Sequence, residues 1–278
     1  MTLIGSPSLI NPLNALPDLA VAAFHWLEYL GLLGGIGSMV VRRLGAKPPR
    51  IRWAQPPMHF AFGAAFAGGL GVVLLEALDA TRSGAGSGAI AFLVGGAPGW
   101  VRIARVTAEG LALLFCLRGI PSVAPVAVLA AALLAVAGHA TAIQPAAGAE
   151  LADALHVVSA GMWAGGILAL ASLQPPDGWR GAESKALLQR FASVALIAFA
   201  ITALTGVLRA TEQLNGVSDL WMTSYGLVLT LKSAGVVVML ALSSLAWRRG
   251  LPVARAEAGV ALAVVGLTAL LAAFPLPA

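Results

Sequence analysis

The sequence predicts an all-α integral membrane protein of eight transmembrane helices. Three observations carry that prediction. Apolar residues make up 59% of the 278-residue chain and charged residues only 10%, against about 25% charged in an ordinary soluble domain. The apolar residues gather into repeated runs of about 20, the length that crosses a bilayer. The basic residues fall in alternate gaps between those runs, as they do when every second loop faces the cytoplasm. Helix follows from lipid, because backbone groups inside a bilayer must be satisfied within their own segment.

The eight spans are expected at Asp18–Val41, Pro57–Leu78, Gly99–Leu117, Val123–Ile143, Leu151–Leu173, Leu187–Ala210, Tyr225–Trp247 and Ala254–Phe274. They form one membrane domain over 1–278. Met1–Pro17 holds no basic residue, so a cleaved signal peptide is not expected there. Arg42, Arg43, Lys47, Arg50 and Arg52 follow the first span, and Arg118 follows the third. Arg180, Lys185 and Arg190 follow the fifth, and Arg248, Arg249 and Arg255 follow the seventh. Both termini are therefore expected outside. The net charge of +5 is a topology signal by this distribution, not the footprint of a nucleic-acid binder.

In the first span His25 and Glu28 lie three apart on one helical face, followed by small residues that permit close helix contact, Gly31 to Gly37. The second span begins with Met58-His59 on the inner side and ends with Glu76 and Asp79 on the outer side. The loop Thr81–Pro98 is rich in Gly and Ser, with an apolar centre; a lid and a re-entrant piece both fit it. The third span carries Arg102, read as an interface anchor, then Arg105 and Glu109, an i,i+4 pair of opposite sign that lowers the cost of burying both. The fourth is aliphatic until His139. The fifth opens with Asp153 and His156 on one face, then Met162, Trp163 and Gly165-Gly166. The sixth ends at Arg209 and Glu212, the seventh contains Lys232, and the eighth carries no further feature of note. Cys116 is the only cysteine, so neither a disulfide nor a cysteine metal cluster forms within one chain.

Two patterns follow. His25, Glu28, Glu76, Asp79, Arg105, Glu109, His139, Asp153, His156, Arg209 and Lys232 all fall in the outer half of their spans, which implies a polar cavity open to the outside. There is also a faint internal repeat. His25 precedes Gly34-Gly35-Ile36 by nine residues and His156 precedes Gly165-Gly166-Ile167 by nine, at an offset of 131. Repeats over 18–143 and 150–274, four spans each, would be parallel, related by an axis along the membrane normal. His25 and His156 would then be mates.

Imidazole and thioether ligands suit copper, Cu(I) above all. His25, His139 and His156 are candidate ligands, with Met162 as an inward step and Met58 and His59 as an inner exit. Glu28 and Asp153 would orient imidazoles, and Glu76 and Asp79 would draw cations to the mouth. The plainer readings are that Met58 and Met162 pack, that Glu76 and Asp79 end a helix in solvent, and that Arg105 and Glu109 form a structural pair. No phosphate loop, nucleophile elbow or His-Glu-x-x-His motif is present, and nothing points to an enzyme.

The run from Asp153-Ala-Leu-His156 to Met162-Trp163-Ala-Gly-Gly166 resembles the signature helix of the copper resistance protein D family. The resemblance continues through Arg190-Phe191-Ala192, Leu204-Thr205-Gly206 and Thr223-Ser224-Tyr225-Gly226 to Lys232 and Glu257. Gly138-His139-Ala140 and His25 sit where that family has histidines. The match is strongest over 138–274 and weaker before it. It implies a multi-pass protein of the bacterial inner membrane, with both termini periplasmic, that takes up copper or keeps its level, with a periplasmic copper carrier as partner. The chain departs from that picture in lacking a Met-rich outer loop. Two other readings stay open: a b-type haem or redox membrane protein with His25 and His156 as axial ligands, and a metal-free assembly partner of a membrane complex.

Overall fold

The computed structural model describes residues 16–82, 88–136, 146–214, 216–249 and 254–274. Among them every regular element is helical. The helices are α1 (Leu19–Ala46), α2 (Met58–Arg82), α3 (Gly88–Val94), α4 (Gly96–Arg118), α5 (Val123–Val136), α6 (Ala146–Ala160), α7 (Gly166–Ala171), α8 (Ala182–Gln213), α9 (Asp219–Met222), α10 (Ser224–Arg249) and α11 (Ala254–Ala272). A π turn, Gly161–Gly165, joins α6 to α7.

Long helices occupy all eight predicted stretches, but six are long and apolar enough to cross a membrane: α1, α2, the α6–π–α7 unit, α8, α10 and α11. The other two predicted stretches, α4 and α5, fall short of that measure among the described residues. α4 carries Arg102, Arg105, Glu109 and Arg118 along 23 residues, and α5 is described over 14. In the predicted outer loop, α3 packs against α2 and α4, with the Phe92 ring 4.2 Å beneath the Arg102 guanidinium.

The bundle is built around α1. Asp18 starts it, accepting hydrogen bonds from the amides of Ala20 (2.8 Å) and Val21 (3.1 Å), which satisfies two of the free N–H groups of the first turn. Small residues then let other helices reach its backbone. Gly31 lies on the backbone of Ala61 and Ala65, and Gly68 of α2 lies on that of Glu28. On another side α1 crosses the π turn: Gly165 sits against the Leu33 carbonyl and Gly37 against Gly165-Gly166. Phe62 lies over Gly35 and Phe191 over Gly166. A side chain at Gly165 or Gly37 would hold the two helices apart, which is the mechanism by which small residues set close crossings in membranes.

Two apolar cores flank this crossing. Leu32, Ile36, Phe62, Ala65, Ala108 and Ala127 join α1, α2, α4 and α5. Val41, Trp163, Leu187, Phe191, Met239 and Val264 join α1, the π turn, α8, α10 and α11. The π turn turns Trp163 into the second core, where it meets the Phe199 ring edge-on at 4.9 Å. Leu196, Ile197, Leu204 and Val207 of α8 and Leu227, Leu231 and Val237 of α10 point outward, as lipid-facing positions do. At the far end, Arg190 of α8 caps α1 and the segment after it. Its guanidinium donates to the carbonyls of Leu44 (2.9 Å), Lys47 (3.1 Å), Pro48 (3.2 Å) and Pro49 (3.1 Å).

Candidate functional site

Eight of the eleven ionisable side chains that the sequence placed at one depth form two polar clusters. Both lie toward the bundle end where α1, α4, α6 and α10 begin. The first is built from α1, α2 and α4. Its centre is Glu28, with no exposed surface. His25 lies one helical turn before it, and its Nδ1 is 3.1 Å from Glu28 Oε2. Arg105 of α4, 3% exposed, brings Nε to 3.3 Å from Glu28 Oε1. Glu109, also fully buried, shares with Glu28 the space beside Gly69. Gly69 of α2 makes room for the pair, since a methyl group there would overlap Glu109 and lie 3.2 Å from Glu28 Oε1.

This geometry revises one expectation. Arg105 does not take Glu109, its neighbour one turn along, as its ion-pair partner; it reaches across to Glu28 on α1. The i,i+4 spacing allowed the local pair, but Glu28 sits in the helix interface already facing Arg105, and burial makes that contact the stronger one.

The second cluster is built from α6, α8 and α10. Arg209 Nε is 2.6 Å from Asp153 Oδ1. His156 Nδ1 is 3.0 Å from Thr205 Oγ1, with Gly206 beside the imidazole. One turn further in, the hydroxyls of Ser159 and Thr202 meet at 2.8 Å. Lys232 and Tyr225 of α10 lie within electrostatic range of Asp153. Between the clusters stands Tyr29, in range of Glu28 and Arg105 on one side and of Asp153 on the other, with its ring 5.3 Å from that of His25.

The remaining candidates separate by environment. Met162 packs against both apolar cores and Met58 against the first. His59 is exposed, its ring 4.2 Å from that of Phe60. Glu76 is paired with Arg102 (Oε2 to Nε 3.2 Å), and Asp79 is exposed. His139 lies outside the described residues. Among the described residues no group of three or more His, Cys, Asp or Glu is arranged to hold a metal ion.

Sequence reasoning missed Gly69, Tyr29, Ser159 and Thr202, and met Thr205 only within the Leu204-Thr205-Gly206 motif. The hydroxyls gave little signal because Ser and Thr in a helix satisfy themselves on a preceding carbonyl. Thr202 does this on Ala198 (2.9 Å) and Thr205 on Ile201 (2.7 Å) while still reaching their partners. Their shared face, three residues apart on α8 with Arg209 four further on, was the available clue.

Residues 185–271 match the family model described as Copper resistance protein D. The chain is 32% identical over 111 residues to a Bacillus subtilis (strain 168) protein, "Copper transport protein CutJ". That match covers 39% of this chain and 20% of the relative, so the chain spans about a fifth of the curated relative it matches. No solved structure matches. The similarity thus falls on the stretch from α8 to α11, and neither comparison points to haem.

Proposed function

We propose that this chain carries copper ions across the bacterial inner membrane, inward from the periplasm, with copper as cargo and not as a resident cofactor. The observation that supports this reading most is where the family match falls. Residues 185–271 include Thr202, Thr205, Arg209 and Lys232, the groups that surround His156 and Asp153 from α8 and α10. A soft cation suits imidazole, and a carrier must hold its ion weakly enough to release it.

On this reading eight helices cross the membrane, and both termini face the periplasm, where a carrier protein delivers the ion. His156 and His25 are the candidate contacts within the described residues, and His139 is the third. Their second-neighbour groups hold the rings in place: Glu28 takes Nδ1 of His25 and Thr205 takes Nδ1 of His156. Nε2 is thereby the nitrogen available to a cation.

A two-fold relation between the halves supports placing His25 and His156 as counterparts. Gly34 and Gly165, also 131 apart, lie at the α1–π turn crossing. Cellular copper accumulation, wild type against the triple His25/His139/His156→Ala variant at equal protein level, tests the reading. Reduced accumulation in the variant is expected, and equal accumulation overturns it.

A further inference from the structure

Glu109 is the carboxyl of the first cluster with neither oxygen in a hydrogen bond among the described residues. Both its oxygens are buried without a hydrogen-bond partner among the described residues, and the residue has no exposed surface. Glu28 beside it differs in kind. Its Oε2 is hydrogen-bonded to His25 Nδ1, and its Oε1 lies 3.3 Å from Arg105 Nε as an ion pair without a hydrogen bond.

The charged and titratable groups that face Glu109 can be enumerated by element. α1 offers Glu28, with His25 and Tyr29 behind it. α4 itself offers Arg105. α2 presents Gly69 at this level; its own Glu76 lies two turns nearer the mouth and is bound to Arg102. α3 and α5 contain no titratable residue. One guanidinium therefore serves two carboxyls, and it is directed at Glu28.

Two ionised carboxyls cannot share a dry contact, because both offer only acceptors and their charges repel. A single proton resolves both problems. It removes the second charge, and it supplies the O–H donor that the contact between Glu109 and Glu28 otherwise lacks. An unpartnered buried charge is among the most costly arrangements in a helix bundle.

We propose that Glu109 is a proton-binding site, its carboxyl carrying one exchangeable proton that it donates in a hydrogen bond to Glu28. The cradle is built for this: Gly69 leaves the space in which the two carboxyls meet, and Arg105 fixes which of them stays ionised. The proton sits within the polar cluster that contains His25, so protonation at Glu109 sets the charge felt at that end of the bundle. The proposal stands without the copper reading.

Infrared spectroscopy of the metal-free full chain in lipid nanodiscs tests it. At neutral pH the wild-type protein is expected to show a protonated-carboxyl C=O band that shifts to lower frequency in D2O. Labelling with 13C-glutamate assigns the band to Glu without any substitution and moves it down further. Glu109→Gln is expected to remove the band, while its side-chain N–H still donates to Glu28 and preserves the fold by circular dichroism. Glu109→Asp is expected to retain a band at a displaced frequency. Absence of a glutamic-acid band from the wild type overturns the proposal. So does a band that persists unchanged in a folded Glu109→Gln protein.

Discussion

Two glycines on facing helices offer a sharp contrast. Gly165 and Gly34 are both helical, and in a neutral setting alanine at either gains about 0.5–1 kcal/mol in helix propensity. Their surroundings differ. A methyl group at Gly34 meets only the Ala61 side chain at 3.6 Å, an ordinary contact, whereas at Gly165 it would overlap the Leu33 carbonyl. Backbone cannot step aside as a side chain does, so the α1–π turn crossing must widen. Overpacking of this kind costs about 1–3 kcal/mol, and the widening also loosens the neighbouring Gly37 contact. The net expectation is Gly165→Ala destabilised by about 1–2 kcal/mol and Gly34→Ala unchanged or more stable by up to about 1 kcal/mol. Reversible unfolding in mixed micelles with increasing SDS reads both. Equal midpoints for the two variants would refute the claim that the crossing depends on backbone contact at Gly165.

Other consequences concern the polar groups. Glu28→Ala leaves the Arg105 guanidinium buried without its carboxylate, and breaking a buried pair in this way costs about 3–5 kcal/mol; a loss below about 1 kcal/mol in the same unfolding assay would show that Arg105 finds water. Arg190→Lys cannot reach the four carbonyls that the guanidinium spans, and a destabilisation of about 1.5–3 kcal/mol is expected, read as a lower thermal midpoint. Trp53→Phe removes the hydrogen bond to Glu183 Oε2 (2.7 Å) at an exposed site, so its cost should stay near 1 kcal/mol or below. Thr205→Ala takes the hydroxyl from His156 Nδ1. An NMR titration of the labelled imidazole should then show a changed tautomer balance, and an unchanged one would show that Thr205 does not orient the ring.

Much of this arrangement was legible in the sequence, because lipid imposes helix on any long apolar run and makes each ionisable residue conspicuous. His25, Glu28, Arg105, Glu109, Asp153, His156, Arg209 and Lys232 were all singled out by being charged or titratable where charge is costly, and the structure gathers them into two clusters. Which of them pair was not legible. Helical spacing speaks only of neighbours on one helix, so it offered Glu109 to Arg105; the true partner, Glu28, comes from a different helix, and only packing brings it there. Gly69 was silent for the same reason, its role being the space that it leaves. The π turn was equally hidden, since Gly161–Gly165 reads as a small-residue stretch until the crossing with α1 is seen. Met162, read either as an inward step for a soft ion or as packing, lies against both apolar cores, a placement that residue type alone does not reveal.

On the proposed function, copper moves through the chain by way of His156 and the polar groups around it. Purified full-length protein in liposomes, loaded with a Cu(I)-sensitive dye and given Cu(I) outside, tests it most directly. Uptake well above that of protein-free liposomes is predicted, falling at least about tenfold in a folded His156→Ala protein, the loss expected when about 1.4 kcal/mol or more of ion stabilisation is removed. Wild-type liposomes no faster than empty ones, or a His156→Ala protein as fast as wild type, would contradict it.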